Sequence, residues 1–350
     1  MEQLFFTGHG QVEWRDIRPP KLAGDKDALV RPVAVATCDL DTAVVHGAAP
    51  FPGPFPLGHE GVGEVVEVGS DVTAVSAGQR VIVPFQVSCG SCARCRRGLT
   101  GSCESVPFGA MYGLEPFGGP WGGFLGDLVR VPWADHMLVP LPENIDPAAV
   151  ASLSDNIPDA WRTVAPFVSD PATTSLLVIG GQAPSVPFYS VAIAKALGVQ
   201  HVDYLEFAEQ GGYAENPGSK HARTEKASRA GADIIDSPGE IAAGRYTVTV
   251  CSASDIGALN TALRATEPDG TCVVNTIFFR DDLPLPMLSM YTHGVHLVTG
   301  RVNARPFLPK ALDLVVQGVF HPETITDAVV PWPDAADALT AKPQKLVICR

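Results

Sequence analysis

Two patterns of apolar and polar positions divide the chain near residue 155. Before it, runs rich in β-branched residues (ALVRPVAVATC, GVGEVVEVG, QRVIVPF) stand between Gly- and Pro-containing turns and predict short strands. After it, strands and helices alternate. SLLVIGG (175–181) predicts a buried strand ending in glycines, and FYSVAIAKALG (188–198) a helix with a Gly stop. HVDYLE (201–206) is a second strand, and HARTEKASRAGADIID (221–236) reads as helix, Gly stop and third strand. YTVTVCS (246–252) and GTCVVNTIF (270–278) follow as strands around the helical run DIGALNTALRAT (255–266), and HLVTGR (296–301) adds another. Such alternation implies a parallel sheet with right-handed crossovers. The helical run PKALDLVVQG and the final strand KLVICR do not extend that sheet and are expected to return to the first part of the chain. The Gly/Pro segment PFGGPWGGFLGD (116–127) reads by default as an irregular surface loop, with lining a pocket as the other reading.

Composition narrows the class. A chain of 350 residues exceeds the usual size of one core, so two domains are expected. Apolar residues at 46% and charged residues at 18% suffice for ordered cores, and no apolar run is long enough to span a bilayer. A net charge of −13 argues against a nucleic-acid partner, which calls for a basic face. The start, MEQLFFTGHG, lacks the basic and apolar regions of a secretion signal, so the eight cysteines point to a reducing, cytoplasmic compartment. Cys251, Cys272 and Cys349 lie in strand-like runs and read as core residues.

Four of the others form a local cluster. Cys89, Cys92, Cys95 and Cys103 lie in CGSCARCRRGLTGSC, a C-x2-C-x2-C-x7-C spacing that can enclose one tetrahedral Zn²⁺ with no open position. Such a site holds a loop and does no chemistry. Two disulfides would suit a small secreted domain instead, and iron–sulfur clusters use other spacings.

A second group is dispersed. Cys38 follows a strand-like run, His59 and Glu60 lie in PLGHEGVGEV, and Asp155 opens a helix in LSDNIPDAW. Singly they read as a core thiol, a surface pair and a helix cap. Together they supply the sulfur, nitrogen and oxygen donors of a catalytic zinc.

The strand 175–181 leads into a turn of nucleotide-binding type. Gly180 and Gly181 fit it, whereas Gln182 stands where a second glycine would admit a pyrophosphate, and the turn is about two residues longer than the usual fingerprint. Val186 begins the helix beyond it, and Glu206 ends the next strand, where a carboxylate accepts ribose hydroxyls and favours NAD over NADP. Ser252 and Thr276, near the ends of later strands, complete the candidate cofactor set.

Cys38, the GHE motif at 58–60, the four-cysteine lobe and the strand–turn–helix unit from 175 occur in the order seen in zinc-dependent medium-chain alcohol dehydrogenases, which the whole chain resembles. An Asp at the third-ligand position and VRVPWAD (129–135) are similar to the formaldehyde and polyol dehydrogenase side. The resemblance implies an α/β chain with a GroES-like β-rich catalytic domain at 1–154 and 301–350 and a Rossmann cofactor domain at 155–300. It implies Cys38, His59 and Asp155 as ligands of a catalytic zinc, with Glu60 exchanging as a fourth ligand or standing behind them. Two zinc ions per chain, NAD, a small-molecule alcohol, aldehyde or ketone substrate, and a homodimer or homotetramer follow from it. The chain also departs from the family. Leu40 and Ala43 replace the hydroxyl and imidazole of the usual proton relay, for which Asp39 or His46 are possible substitutes. Asp159 stands where a small or Thr residue faces the nicotinamide, either as a plain first-turn carboxylate or as a group facing a cationic substrate. These departures keep open a reductase of conjugated C=C or iminium C=N bonds, and a non-catalytic binding protein on the same fold.

Overall fold

The computed structural model describes residues 1–49, 51–181, 183, 185–207, 217–341 and 345–350, with side chains from 220 onward in the helix that starts at Pro217. The chain divides into two compact units, Met1–Pro158 with Val302–Arg350, and Asp159–Arg301. The stretch 155–158 thus lies with the first unit, so Cys38, His59, Glu60 and Asp155 share one body.

The first unit is built on strand Ala28–Ala36, whose residues are buried at nearly every position. Strands Glu60–Val68 and Leu346–Cys349 pair with it antiparallel on either side. The C-terminal strand therefore returns to the first part of the chain, aligning Val347 with Ala36. Ala328–Pro331 pairs parallel with that last strand, and Arg80–Val83 and Val139–Pro140 continue the sheet beyond Glu60–Val68. A second antiparallel sheet joins Glu2–Gly8 to Gln11–Asp16 and Phe55–Pro56.

The 116–127 segment is a surface loop only in its first half: Pro116, Phe117 and Pro120 are exposed, whereas Gly123, Phe124, Leu125 and Gly126 are buried. The backbone N–H groups of Phe124 and Leu125 donate to Gly58 and Leu57 carbonyls at 2.7 and 3.1 Å, and the N–H of Leu4 donates to Leu125 at 2.8 Å. Phe124 is fully buried, edge-on to Tyr112 with ring centroids 5.1 Å apart. Glycine is the residue that lets these backbones meet: a Cβ on Gly123 would fall 2.2 Å from the Leu57 carbonyl oxygen.

The second unit is a six-stranded sheet in the order Asp233–Ile235, His201–Glu206, Ser175–Gly180, Tyr246–Cys251, Thr266–Val274, His296–Thr299, parallel throughout. Helices Val186–Ala196, Pro217–Arg229 and Ile256–Ala265 alternate with these strands. The first strand lies in the interior and its neighbours run outward in both directions, which is the doubly wound Rossmann arrangement with its switch point at Gly180. Cys251 and Cys272 are core residues here, whereas Cys349 in the first unit is only half-buried, because its edge of the strand pairs near the chain end. No helix among the described residues is long and apolar enough to cross a membrane.

Adding a methyl at Gly123 forces the packed backbones apart. Gly123→Ala is expected to cost about 1–3 kcal/mol, read as a lower melting temperature for the first unit; an unchanged melting curve would contradict this packing.

Candidate active site

Cys38, His59 and Asp155 come together from three separate segments. Cys38 caps helix Asp39–Val45, and its sulfur accepts from the N–H of Leu40 at 3.4 Å. His59 immediately precedes strand Glu60–Val68, and Asp155 lies between the turn Ala151–Ser154 and helix Asn156–Val164. One Oδ2 of Asp155 stands 3.1 Å from Cys38 Sγ and 3.3 Å from His59 Nε2, and the three donors lie within 4.8 Å of one another. All three residues are buried. Neither imidazole nitrogen of His59 has hydrogen-bond geometry to any described residue. Each nitrogen faces a carboxylate at 3.3–3.4 Å without hydrogen-bond geometry, and a buried ring left so suits a further group at Nε2.

The electrostatics point the same way. Burial, then the charges of Asp155, Glu60 and Asp41, push the Cys38 thiol well above its ordinary value. Burial alone would lower His59, but Asp41 and Asp155 outweigh it and carry the imidazole up to about 9. Burial raises Glu60 to about 7, with Lys345 holding it back. Cys38 and Glu60, both driven toward their protonated forms, make a cluster that a divalent cation would fit, displacing those protons. The S, N, O donor set suits Zn²⁺ and leaves one tetrahedral position open.

Around this set lie residues that the sequence did not reveal. Asp41 Oδ1 stands 3.4 Å from His59 Nδ1, while its Oδ2 accepts from the Cys38 N–H at 3.0 Å. The carboxylate behind the imidazole fits the carboxylate–histidine pairing of metal sites. Its signal was the C-x-x-D spacing of a capping box. Glu60 is held by Lys345 Nζ at 2.8 Å and accepts from the N–H of Asn156 at 3.2 Å. Asn156 Nδ2 in turn lies 3.3 Å from Cys38 Sγ. Glu60 therefore stands beside the three donors with both oxygens engaged.

The four-cysteine group closes as its spacing suggests, its sulfurs within 4.8 Å of one another and none in a disulfide. Backbone N–H groups aim at these sulfurs: Ser91 and Cys92 at Cys89, at 3.4 and 3.3 Å, and Ser105 at Cys103, at 3.4 Å. Burial opposes ionisation of Cys89, but bonds from Ser105, Ser91 and Cys92 outweigh it and bring the thiol down to about 5. Such donors favour a thiolate at Cys89, whereas burial pushes the Cys95 and Cys103 thiols up, as expected of four thiols without a cation. Gly90, at φ +73°, makes the turn beneath the His136 ring, where a Cβ would come within 2.5 Å.

In the second unit, Gly180 and Gly181 end the first strand. Glycine is required there by packing as well as by the turn: a Cβ on Gly180 would sit 1.9 Å from the Tyr204 hydroxyl, and one on Gly181 2.7 Å from Ala253. Gln182 lies outside the described residues. Val186 opens the helix and is buried. Glu206 ends the second strand level with Gly180. It is not a bare carboxylate, since Arg223 Nε holds its Oε1 at 2.8 Å and the Tyr204 hydroxyl donates to its Oε2. Ser252 and Asn275 follow the paired residues Cys251 and Val274 at the ends of neighbouring strands. The Ser252 hydroxyl and both amide atoms of Asn275 are buried without a hydrogen-bond partner among the described residues. Orphaned polar groups at the carboxyl ends of a doubly wound sheet fit a ligand at that edge. Asn275 was not singled out from the sequence. Thr276 instead shares its hydroxyl with Ser254 at 2.5 Å. Asp159 opens the second unit, and Arg162 Nε one helical turn later pairs with its carboxylate at 2.5 Å.

Comparison with known proteins agrees with this arrangement. Residues 24–143 match the alcohol dehydrogenase GroES-like domain. The chain is 29% identical over 348 residues to a probable zinc-binding alcohol dehydrogenase of Mycobacterium tuberculosis, covering 96% of this chain and 84% of that one. It is 34% identical over 209 residues to the glutathione-independent formaldehyde dehydrogenase of Pseudomonas aeruginosa, covering 56% of this chain and 51% of that one. In fold it is similar to the alcohol dehydrogenase of Thermus sp. ATN1, with TM-score 0.87, 24% identity and coverage of 100% and 99% of the two chains. The first unit is thus GroES-like and the second Rossmann-like, and the chain is similar in sequence and in fold to zinc-type alcohol dehydrogenases.

Proposed function

We propose that the protein is a zinc-dependent, NAD-linked oxidoreductase that interconverts a small alcohol and its aldehyde or ketone. The observation that carries this reading is the convergence of Cys38 Sγ, His59 Nε2 and Asp155 Oδ2 within 4.8 Å of one another, with neither His59 nitrogen in a hydrogen bond among the described residues. Cys38, His59 and Asp155 would hold the catalytic zinc, with Glu60 in reserve, and Cys89, Cys92, Cys95 and Cys103 the structural one. When bound, zinc supplies a Lewis acid for the substrate oxygen, and the nicotinamide supplies the hydride acceptor or donor.

The chain's own residues fix orientation. Asp41 and Asp155 hold the His59 ring from its two nitrogens. Lys345 holds Glu60 in an ion pair at 2.8 Å, outside the group of three donors. The Glu206 carboxylate, fixed by Arg223 and Tyr204, favours ribose hydroxyls over a 2′-phosphate, and Ser252 and Asn275 offer polar atoms to the cofactor. Among structurally similar proteins, an acetophenone reductase of Geotrichum candidum is described in complex with NAD and a putative zinc-binding dehydrogenase of Sinorhizobium meliloti with NADP.

A second reading has one observation in its favour. Leu40, two residues after Cys38, packs against the first unit's apolar core and brings no hydroxyl to the metal donors. A reductase of a C=C or C=N bond needs no alkoxide protonated there, and an NAD(P)H oxidation assay on enones and imines against alcohols decides between the two.

We further read the protein as a homodimer in a reducing, cytoplasmic compartment. Strand His296–Thr299 ends the sheet, and beside it helix Met287–His293 turns Leu288 and Tyr291 outward, 77% and 86% exposed. An apolar, uncovered sheet edge suits a second copy across a two-fold axis.

Metal analysis is expected to find two zinc ions per chain, and Cys38→Ser or Asp155→Ala to remove one of them together with turnover; full metal content in both variants would contradict the ligand set. Mixing with NADH is expected to enhance its fluorescence, and Glu206→Gln to raise KM for NAD relative to NADP by about tenfold, which is about 1.4 kcal/mol. Leu288→Glu with Val298→Lys is expected to halve the mass seen in sedimentation, and an unaltered mass would rule out this edge as the interface.

A further inference from the structure

The side-chain amide of Asn156 sits between two groups that decide which way it faces. Its Oδ1 accepts from Lys345 Nζ at 2.9 Å, and its Nδ2 lies 3.3 Å from Cys38 Sγ. A flipped amide would set N–H against an ammonium and a carbonyl against sulfur, so the lysine selects the orientation. Lys345 cannot easily move. Its side chain is fully buried, and its three protons meet three acceptors: Asn156 Oδ1, Glu60 Oε2 at 2.8 Å and the Thr37 carbonyl. The backbone of Asn156 is tied as well, through its N–H to Glu60 Oε1 at 3.2 Å. The amide is therefore held at both ends, and its N–H is turned to the sulfur.

That contact has a chemical consequence. A hydrogen bond to the charged form favours the charged form, so an N–H···S bond stabilises a thiolate. The side-chain donor of Asn156 and the N–H of Leu40 are the groups that point positive ends at this sulfur. Lys345 stands behind Asn156 and polarises the amide that it orients.

We propose that Asn156, oriented by Lys345, is a positioning residue for the metal centre: its N–H···S bond holds the Cys38 sulfur beside His59 and Asp155, and so sets how tightly these donors bind a metal. The inference rests on the reading of Cys38, His59 and Asp155 as zinc ligands. It assigns Lys345 a role through Asn156 as well as through Glu60.

The test reads metal binding rather than turnover. Chelator competition on the zinc-loaded protein is expected to show about 10–100-fold weaker binding at this site in Asn156→Leu and in Asn156→Ala. The four-cysteine site keeps its ion in both and reports that the chain is folded. In the cobalt-substituted protein, the same variants are expected to shift the sulfur-to-metal absorption of Cys38. Unchanged affinity and absorption in a folded variant would overturn the proposal. A measurement on the unaltered chain stands apart from any folding defect: loaded with cadmium-113, the protein is expected to show scalar coupling between the metal and the Asn156 side-chain N–H through the sulfur. Absence of that coupling with cadmium bound would also overturn it. Cys38→Ser separates this idea from the one beneath it. If that variant retains both metals, the ligand set itself is wrong; if it loses one while Asn156→Leu changes nothing, only the role of Asn156 falls.

Discussion

A thiol, an imidazole and a carboxylate buried within 4.8 Å of one another set the terms for the first unit. Removing an ion from water costs several kcal/mol even after relaxation. Here Glu60 and Asp41 add two further buried acids, against one lysine. Without a cation, burial and mutual repulsion drive Cys38 and Glu60 toward their protonated forms. A divalent ion removes that conflict in one step, because each donor gains an opposite charge at short range. Metal binding and the stability of this region are then coupled.

The fold is arranged to hold the cluster under that tension. The strands that carry the site are paired on both sides, so Thr37, Cys38, His59 and Glu60 emerge at fixed heights from the centre of the sheet. The C-terminal strand brings Lys345 to the same level from the far end of the chain, where Leu346 N–H donates to the Thr37 hydroxyl at 2.9 Å. Ser154 exchanges hydrogen bonds with Gly61 at 2.9 and 3.1 Å and so fixes the approach of Asp155. The donors are thus positioned by backbone pairing and need not be gathered by the metal. The four-cysteine lobe reaches order by a different route, through N–H donors inside one short loop.

How far the sequence could be read follows from separation along the chain. The four cysteines lie in one loop, so spacing alone revealed them. The second unit was legible because each strand and helix keeps its own period. Cys38, His59 and Asp155 could be joined only through a family resemblance. Asn156 and Lys345 left no trace, since the lysine meets Glu60 across 285 positions and Asn156 across 189, and a lysine beside a terminal strand ordinarily faces water. The 116–127 segment was half legible, because Gly and Pro mark both surface turns, as at Pro116 and Pro120, and places where backbones touch, as at Gly123. Glu206 was visible as a strand-end acid, while its pairing with Arg223 depends on how a following helix packs. Asp159 likewise looked available until its partner one helical turn later was seen.

The central claim is that a metal ion completes the buried cluster of Cys38, His59 and Asp155. Diffraction from crystals of the zinc-loaded protein on either side of the zinc absorption edge tests it most directly. The account predicts two anomalous peaks per chain, one among the four cysteines and one within bonding distance of Cys38 Sγ, His59 Nε2 and Asp155. A single peak at the four-cysteine lobe, with the other cluster closed on itself by protonated groups, would contradict it.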